Sequence, residues 1–159
     1  MSNSILLTTG VVTAATQNST VTSTSCSTPH LSSLFANFMV GEYGNTMNLQ
    51  KSFSLFEGNI NDIRNSYEAV SSAITIIPTI YVRTSSVSAI EGGSYAATFI
   101  ATVQGNEYRL SKYETIPELT LGLYAGDYLL ALTTFSYEIY EKLATGSRVD
   151  IKWTLELSA

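Results

Sequence analysis

No Asp, Glu, Lys or Arg occurs before Glu42, and sixteen of residues 1–33 are Ser or Thr. This opening restricts the fold more than anything downstream. Disordered tails stay solvated through charge, Pro and Glu, which this stretch almost lacks, and its Thr and Val favour extended backbone. It is too polar to cross a bilayer and too β-prone to serve as an ordinary linker. Something is therefore expected to cover it. The first reading makes residues 1–33 an extended, uncharged N-terminal arm that reaches another copy of the chain, with residues 34–159 forming a single β-sandwich domain. The other placement folds the same segment back as the first two strands of its own sandwich, in which case the missing charges reflect burial.

The rest of the chain is also poor in charge. Charged residues make up 13%, against about 25% in an ordinary soluble domain, and a surface with so little charge has weak protection against self-association. At 159 residues one hydrophobic core needs no disulfide or metal staple. The net charge is −5 and the eight basic residues are scattered, so no run of them can neutralise several phosphates. Arg109 and Lys112, between Tyr108 and Tyr113, are the closest cluster, and direct nucleic-acid binding is not expected. Cys26 is the single cysteine and His30 the single histidine, which excludes an intrachain disulfide framework and any His-paired metal site. No cofactor is expected. The start, Met1 to Leu7, lacks a basic region, so no signal peptide is recognisable, and no run reaches the roughly eighteen apolar residues of a membrane span. The expected course is synthesis in the cytoplasm and a final place in a virion or other extracellular assembly.

Hydrophobic periodicity predicts a mainly β chain. Ile5–Thr16 and Ser19–Cys26 read as strands, and Pro29 ends the second. Met47–Phe56 alternates, and Thr79–Ala89, Tyr95–Val103, Glu107–Tyr113, Leu119–Tyr124 and Tyr128–Phe135 succeed it between turn signals. Ser136–Leu143 fits helix and strand equally. The clearest strand is the last: Val149, Ile151, Trp153, Leu155 and Leu157 face one way, and Asp150, Lys152, Thr154 and Glu156 the other. That face places it well inside the sheet. Ile60, Ile63, Tyr67, Val70 and Ile74 recur at helical spacing, predicting one short helix around 60–73 capped by Asn59. The expected architecture is an antiparallel, jelly-roll-like β-sandwich with that helix and the arm.

No residue pattern carries chemistry. Gly-x-Ser-x-Gly, phosphate-loop and dinucleotide motifs are absent. Cys26 and His30 have no scaffold to fix their geometry, and Asn59-Ile60-Asn61-Asp62 lacks the glycine and terminal glutamate of a calcium loop. Glu138 with Glu141, and Glu114 with Glu118, are the pairs a glycosidase would need; they read as the solvated face of a β protein. Ten tyrosines supply large contact area with one polar handle each. Val21, Thr22, Tyr95, Tyr108 and Tyr113 are the candidate interface or ligand contacts. These features together suggest a non-enzymatic structural assembly protein, a capsid, decoration or spike subunit of a virion, that oligomerises through its arm. Its expected partners are copies of itself and other structural proteins. The alternatives are a surface filament or adhesion subunit and a carbohydrate-binding β module.

Overall fold

The computed structural model of the chain describes residues 6–27, 50–60, 74–90 and 94–158. In chain order they form β1 (Leu6–Ala15), β2 (Thr20–Ser27), β3 (Lys51–Glu57), β4 (Ile74–Tyr81), β5 (Thr84–Ile90), β6 (Ser94–Gln104), a 3₁₀ turn (Gly105–Glu107), β7 (Leu119–Ala125), β8 (Tyr128–Thr134), α1 (Tyr137–Ala144) and β9 (Arg148–Ser158). Every strand pairing among the described residues is antiparallel.

Alternation along β9 sets the centre of the fold. Val149, Ile151, Trp153 and Leu155 are buried, while Lys152 and Glu156 on the other face are exposed. Such alternation marks an antiparallel strand with one face on the core and the other in water. β9 lies between β1 and β6, and its ladder with β6 runs unbroken from Tyr95↔Leu157 to Gln104↔Arg148.

The strand order is β4-β3-β7-β8-β2-β1-β9-β6-β5. It divides into two layers, β4-β3-β7-β8 and β2-β1-β9-β6-β5, because among the described residues β8 and β2 share only three pairs, Ser25↔Thr133, Cys26↔Leu132 and Ser27↔Ala131. The layers face each other: Phe53 of β3 and Trp153 of β9 are each 0% exposed, with ring centroids 5.7 Å apart. Leu55, Leu121 and Leu123 from one layer and Val12, Phe99, Ala101 and Ile151 from the other complete this core. The result is a mainly β, two-layer antiparallel sandwich with one short helix. Four of the eight pairings join strands consecutive in the chain, so the order does not by itself establish a jelly-roll wind.

The layers also join at a corner. The expected strand Thr79–Ala89 is two strands, because the chain changes layer at Val82 and Arg83. Val82 N–H donates to the Lys51 carbonyl on β3 at 3.1 Å, and Arg83 N–H donates to the Ile100 carbonyl on β6 at 2.9 Å. Strands that switch sheets through a bend are the usual way for a sandwich to turn a corner.

The N-terminal segment takes the fold-back placement. β1 pairs with β2 on one side and β9 on the other, and Val12 and Ala14 are buried in the main core. Residues 6–27 thus lie inside the sheet of their own chain, and the extended arm is corrected to that extent. The charges are missing because one face of β1 is core and its edges are occupied.

One further expectation changes, and one open reading resolves. Glu107–Tyr113 forms no strand: after the 3₁₀ turn the chain leaves the sheet and Tyr108, Leu110 and Tyr113 pack against the core from outside the ladder. Ser136–Leu143 resolves as α1, with the Ser136 hydroxyl accepting from Ile139 N–H at 3.4 Å and Ile139, Tyr140 and Leu143 buried. Of the helix expected around 60–73, Ile60 is helical and Ile74 already begins β4; residues 61–73 lie outside the described residues.

Trp153→Ala removes the largest fully buried side chain and leaves Phe53 facing a void. Truncating a core aromatic in this way costs about 3–5 kcal/mol. The expected outcome is a lower denaturant midpoint at unchanged slope, read by tryptophan-independent circular dichroism.

Candidate functional site

The outer face of the β2-β1-β9-β6-β5 layer presents aligned rows of side chains. The registers place Thr24, Val11, Thr154, Thr98 and Ser86 in one row. Thr22, Thr13, Lys152, Ile100 and Thr84 form the next. At about 4.8 Å between strands the rows extend ~19 Å. Val11 is 40% exposed, and the Thr98 and Thr154 hydroxyls lie 3.4 Å apart. Charge on this face is confined to β9 and one corner. Arg83 Nε donates to the Thr102 hydroxyl at 3.1 Å, which donates to Asp150 Oδ1 at 2.8 Å. Arg148 Nη2 reaches the same oxygen at 3.2 Å. A face of hydroxyls and half-buried aliphatics suits broad, weakly polar contact rather than capture of a small charged ligand.

A second grouping surrounds the irregular segment after β6. The Tyr113 ring lies 5.6 Å from Tyr140 and 6.5 Å from Tyr137, and Tyr137 and Tyr140 are 5.7 Å apart. The Tyr113 hydroxyl donates to Glu57 Oε2 at 3.2 Å, and that of Tyr140 to the Ser111 carbonyl at 2.6 Å. Burial, then the proximity of Tyr140 and of the Glu57 carboxylate, pushes the Tyr113 phenol up to about 12. Burial also raises Tyr140. These tyrosines tie the segment to α1 and to the end of β3. They act as a clamp, and their hydroxyls are spent on internal partners. Gly105 anchors the same segment from the other end. A Cβ there would land on the Leu143 carbonyl, and the glycine N–H donates to the Ser147 carbonyl at 3.0 Å.

A third feature is a cleft of about 470 Å³ between the β1–β2 turn and the start of β9, lined by Thr16, Gln17, Asn18, Lys142, Arg148 and Asp150 among others. It is open and hydrophilic, with no buried charged group in its lining.

The five sequence candidates divide among these places. Thr22 is exposed and stands in the second hydroxyl row. Val21, its neighbour, packs against the core. Tyr95 pairs in register with Ala89 and Leu157 at the start of β6. Tyr108 is half-buried against the core, and Tyr113 belongs to the tyrosine clamp. Sequence reading missed Tyr137, Tyr140 and Glu57 as its partners. Glu138 and Glu141 are exposed on α1, and Glu114 and Glu118 are exposed on the irregular segment. Glu118 accepts from Asn59 Nδ2 at 2.7 Å. His30 lies outside the described residues. Among those described, no group of three or more His, Cys, Asp or Glu is placed to hold a metal, and no helix is long and apolar enough to cross a membrane.

No protein-family model matches this chain, and no curated protein or solved structure shows significant similarity to it.

The raised Tyr113 phenol has a consequence for stability. A group that holds its proton more tightly when folded stabilises the fold below its unfolded pKa, near 10, and that contribution is lost as pH climbs toward about 12. Stability measured by denaturant is therefore expected to fall across that alkaline window. Tyr113→Phe should flatten the decline, and an unchanged slope would show that the clamp does not govern it.

Proposed function

We propose that this chain is a non-enzymatic structural assembly protein, a shell, decoration or spike subunit of a virion, whose copies associate by exchanging the β1–β2 hairpin. The observation that carries the reading is how that hairpin is held. It carries no charge, and main-chain ladders bind it on both sides, β1 to β9 and β2 to β8. Ladders of this kind are indifferent to which copy supplies the strand, and strand addition between subunits uses the same bonds. Among the described residues the β2–β8 side has three ladder pairs, joined by the Thr133 hydroxyl to Ser23 and the Thr24 carbonyl, so this flank of the hairpin is held by fewer main-chain bonds than the β1–β9 side.

Four further points support the reading. The broad outer face is rich in hydroxyls and sparing in charge, as suits a surface that meets neighbours. A two-layer antiparallel sandwich is an architecture that jelly-roll shell subunits share; the likeness is in the layers, not in the strand order. The scattered basic residues argue that packaging nucleic acid is left to another component. The tyrosine clamp, with its hydroxyls internally bonded, favours assembly over sugar binding.

The test is the solution mass of the full chain by light scattering, with a chain starting at Leu34 beside it. The full chain is expected to form a discrete oligomer or closed particle. The shortened chain should lose its fold, because the β9 and β8 edges are stripped, and regain β circular dichroism when a peptide of residues 1–33 is added in trans. A full chain that stays monomeric at every concentration, or a peptide that fails to rescue, counts against exchange-driven assembly.

A further inference from the structure

The sheet ends in β4 and β5, and the sequence treats these two edges oppositely. β4 contains Pro78, and its register with β3 shifts twice within eight residues. A proline and bulges are usual devices that stop an edge from accepting another strand. β5 has neither. Thr84–Ile90 holds seven consecutive pairs with β6 without a shift, and its sequence has no charge. The charges of this layer sit on the central strand β9, at Arg148, Asp150, Lys152 and Glu156, the reverse of the protective pattern. Thr84, Ser85 and Ser86 are all exposed. Successive strand residues point to opposite faces, so three exposed in a row mean that this half of the strand stands clear on both faces. Among the described residues no strand pairs with its outer side.

We propose that β5 is a strand-pairing edge for the β5 of a second copy, antiparallel about a two-fold axis at Val87. The inference rests on the assembly reading and adds a contact to it. The hairpin supplies one interface, and this edge a second that makes the layer continuous across two subunits. The occupant follows from charge and symmetry. A protein of net charge −5 repels its own copies wherever charged surfaces meet, and this edge is free of that repulsion. The same strand on both sides of a two-fold is self-complementary by construction. Thr84 comes opposite the partner's Ile90, Ser85 opposite the partner's Ala89, and Ser86 opposite the partner's Ser88. Seven residues at ~3.4 Å each give a ladder of about 24 Å.

The pairing dictates a charge-swap experiment on the full chain. Ser86→Lys with Ser88→Lys sets like charges opposite each other at both crossings, whereas Ser86→Lys with Ser88→Glu sets opposite charges there. An edge strand tolerates either pair, and circular dichroism checks that both variants fold. Light scattering across a dilution series is expected to show the first variant associating about tenfold more weakly than the unmodified chain, and the second recovering that loss. Equal masses for all three chains, in a protein that still oligomerises, would overturn the β5 pairing and leave hairpin exchange standing. Loss in the first variant without recovery in the second would overturn the two-fold pairing in favour of another occupant of the edge. An unmodified chain that never associates would overturn both this pairing and the assembly reading. A dimer that answers to the charge swap while residues 1–33 fail to rescue in trans would uphold β5 and overturn hairpin exchange.

Discussion

The contact of Trp153 with Phe53 turns two layers into one core. Both rings are sealed from solvent and sit at a stacking distance, where an aromatic pair adds about 0.5–1.5 kcal/mol beyond its buried area. Their position matters more than the pair energy. Trp153 lies on the strand that is laddered on both sides, so its place against Phe53 goes with the registers of β9 on β1 and β6. Phe53 likewise belongs to β3, held between β4 and β7. Fixing this one crossing fixes the separation of the layers. The corner at Val82 and Arg83 and the short β8–β2 seam are then two places where main chain bridges a spacing that the side chains have set.

The helix end of the sandwich obeys a different logic. There, the sheet gives way to a 3₁₀ turn, an irregular segment and α1, and order comes from close approach rather than from ladders. Gly105 lies against the Leu143 carbonyl where no other residue fits, and the three tyrosines hold the segment by ring contacts and by hydroxyls bonded to a carboxylate and a carbonyl. The Ser136 cap starts α1 immediately after β8, so the helix cannot drift from its place beside β9.

How much of this was written in the sequence depends on whether the signal is local. The alternation of Val149, Ile151, Trp153 and Leu155 identified both the strand and its buried face, because a central strand imposes its burial residue by residue. The strand character of residues 6–27 was equally plain. Their placement was not, since an absence of charge describes a strand buried in its own sheet as well as one lent to a neighbour. The break between β4 and β5 left no trace, for Val82 and Arg83 are neither Gly nor Pro and the change of layer is made by hydrogen bonds to residues far away in the chain. Glu107 to Tyr113 looked like a strand because it lies between the turn signals at Gly105-Asn106 and Pro117; Gly105 against α1 redirects it. At the candidate surfaces, Thr22 was found on the exposed face, whereas Val21 turned inward by the simple alternation of β2. Tyr113 was picked out, but its partners Glu57, Tyr137 and Tyr140 come from separate elements and meet only once the chain has folded.

The pairing of β1 with β9 brings Val12 to Trp153 across almost the whole sequence. Loop-closure entropy must be met before such a contact yields any stabilisation, and folds dominated by distant pairings form slowly. On the ribosome the hairpin of β1 and β2 emerges well before its principal partner, and it waits as an uncharged, β-prone pair whose outer edges are both open. Within one chain that interval is a hazard. In the assembly we propose, it is also the period in which a hairpin would meet the β9 of a neighbour, so the order of synthesis itself would bear on whether the product is a closed monomer or an interlocked set.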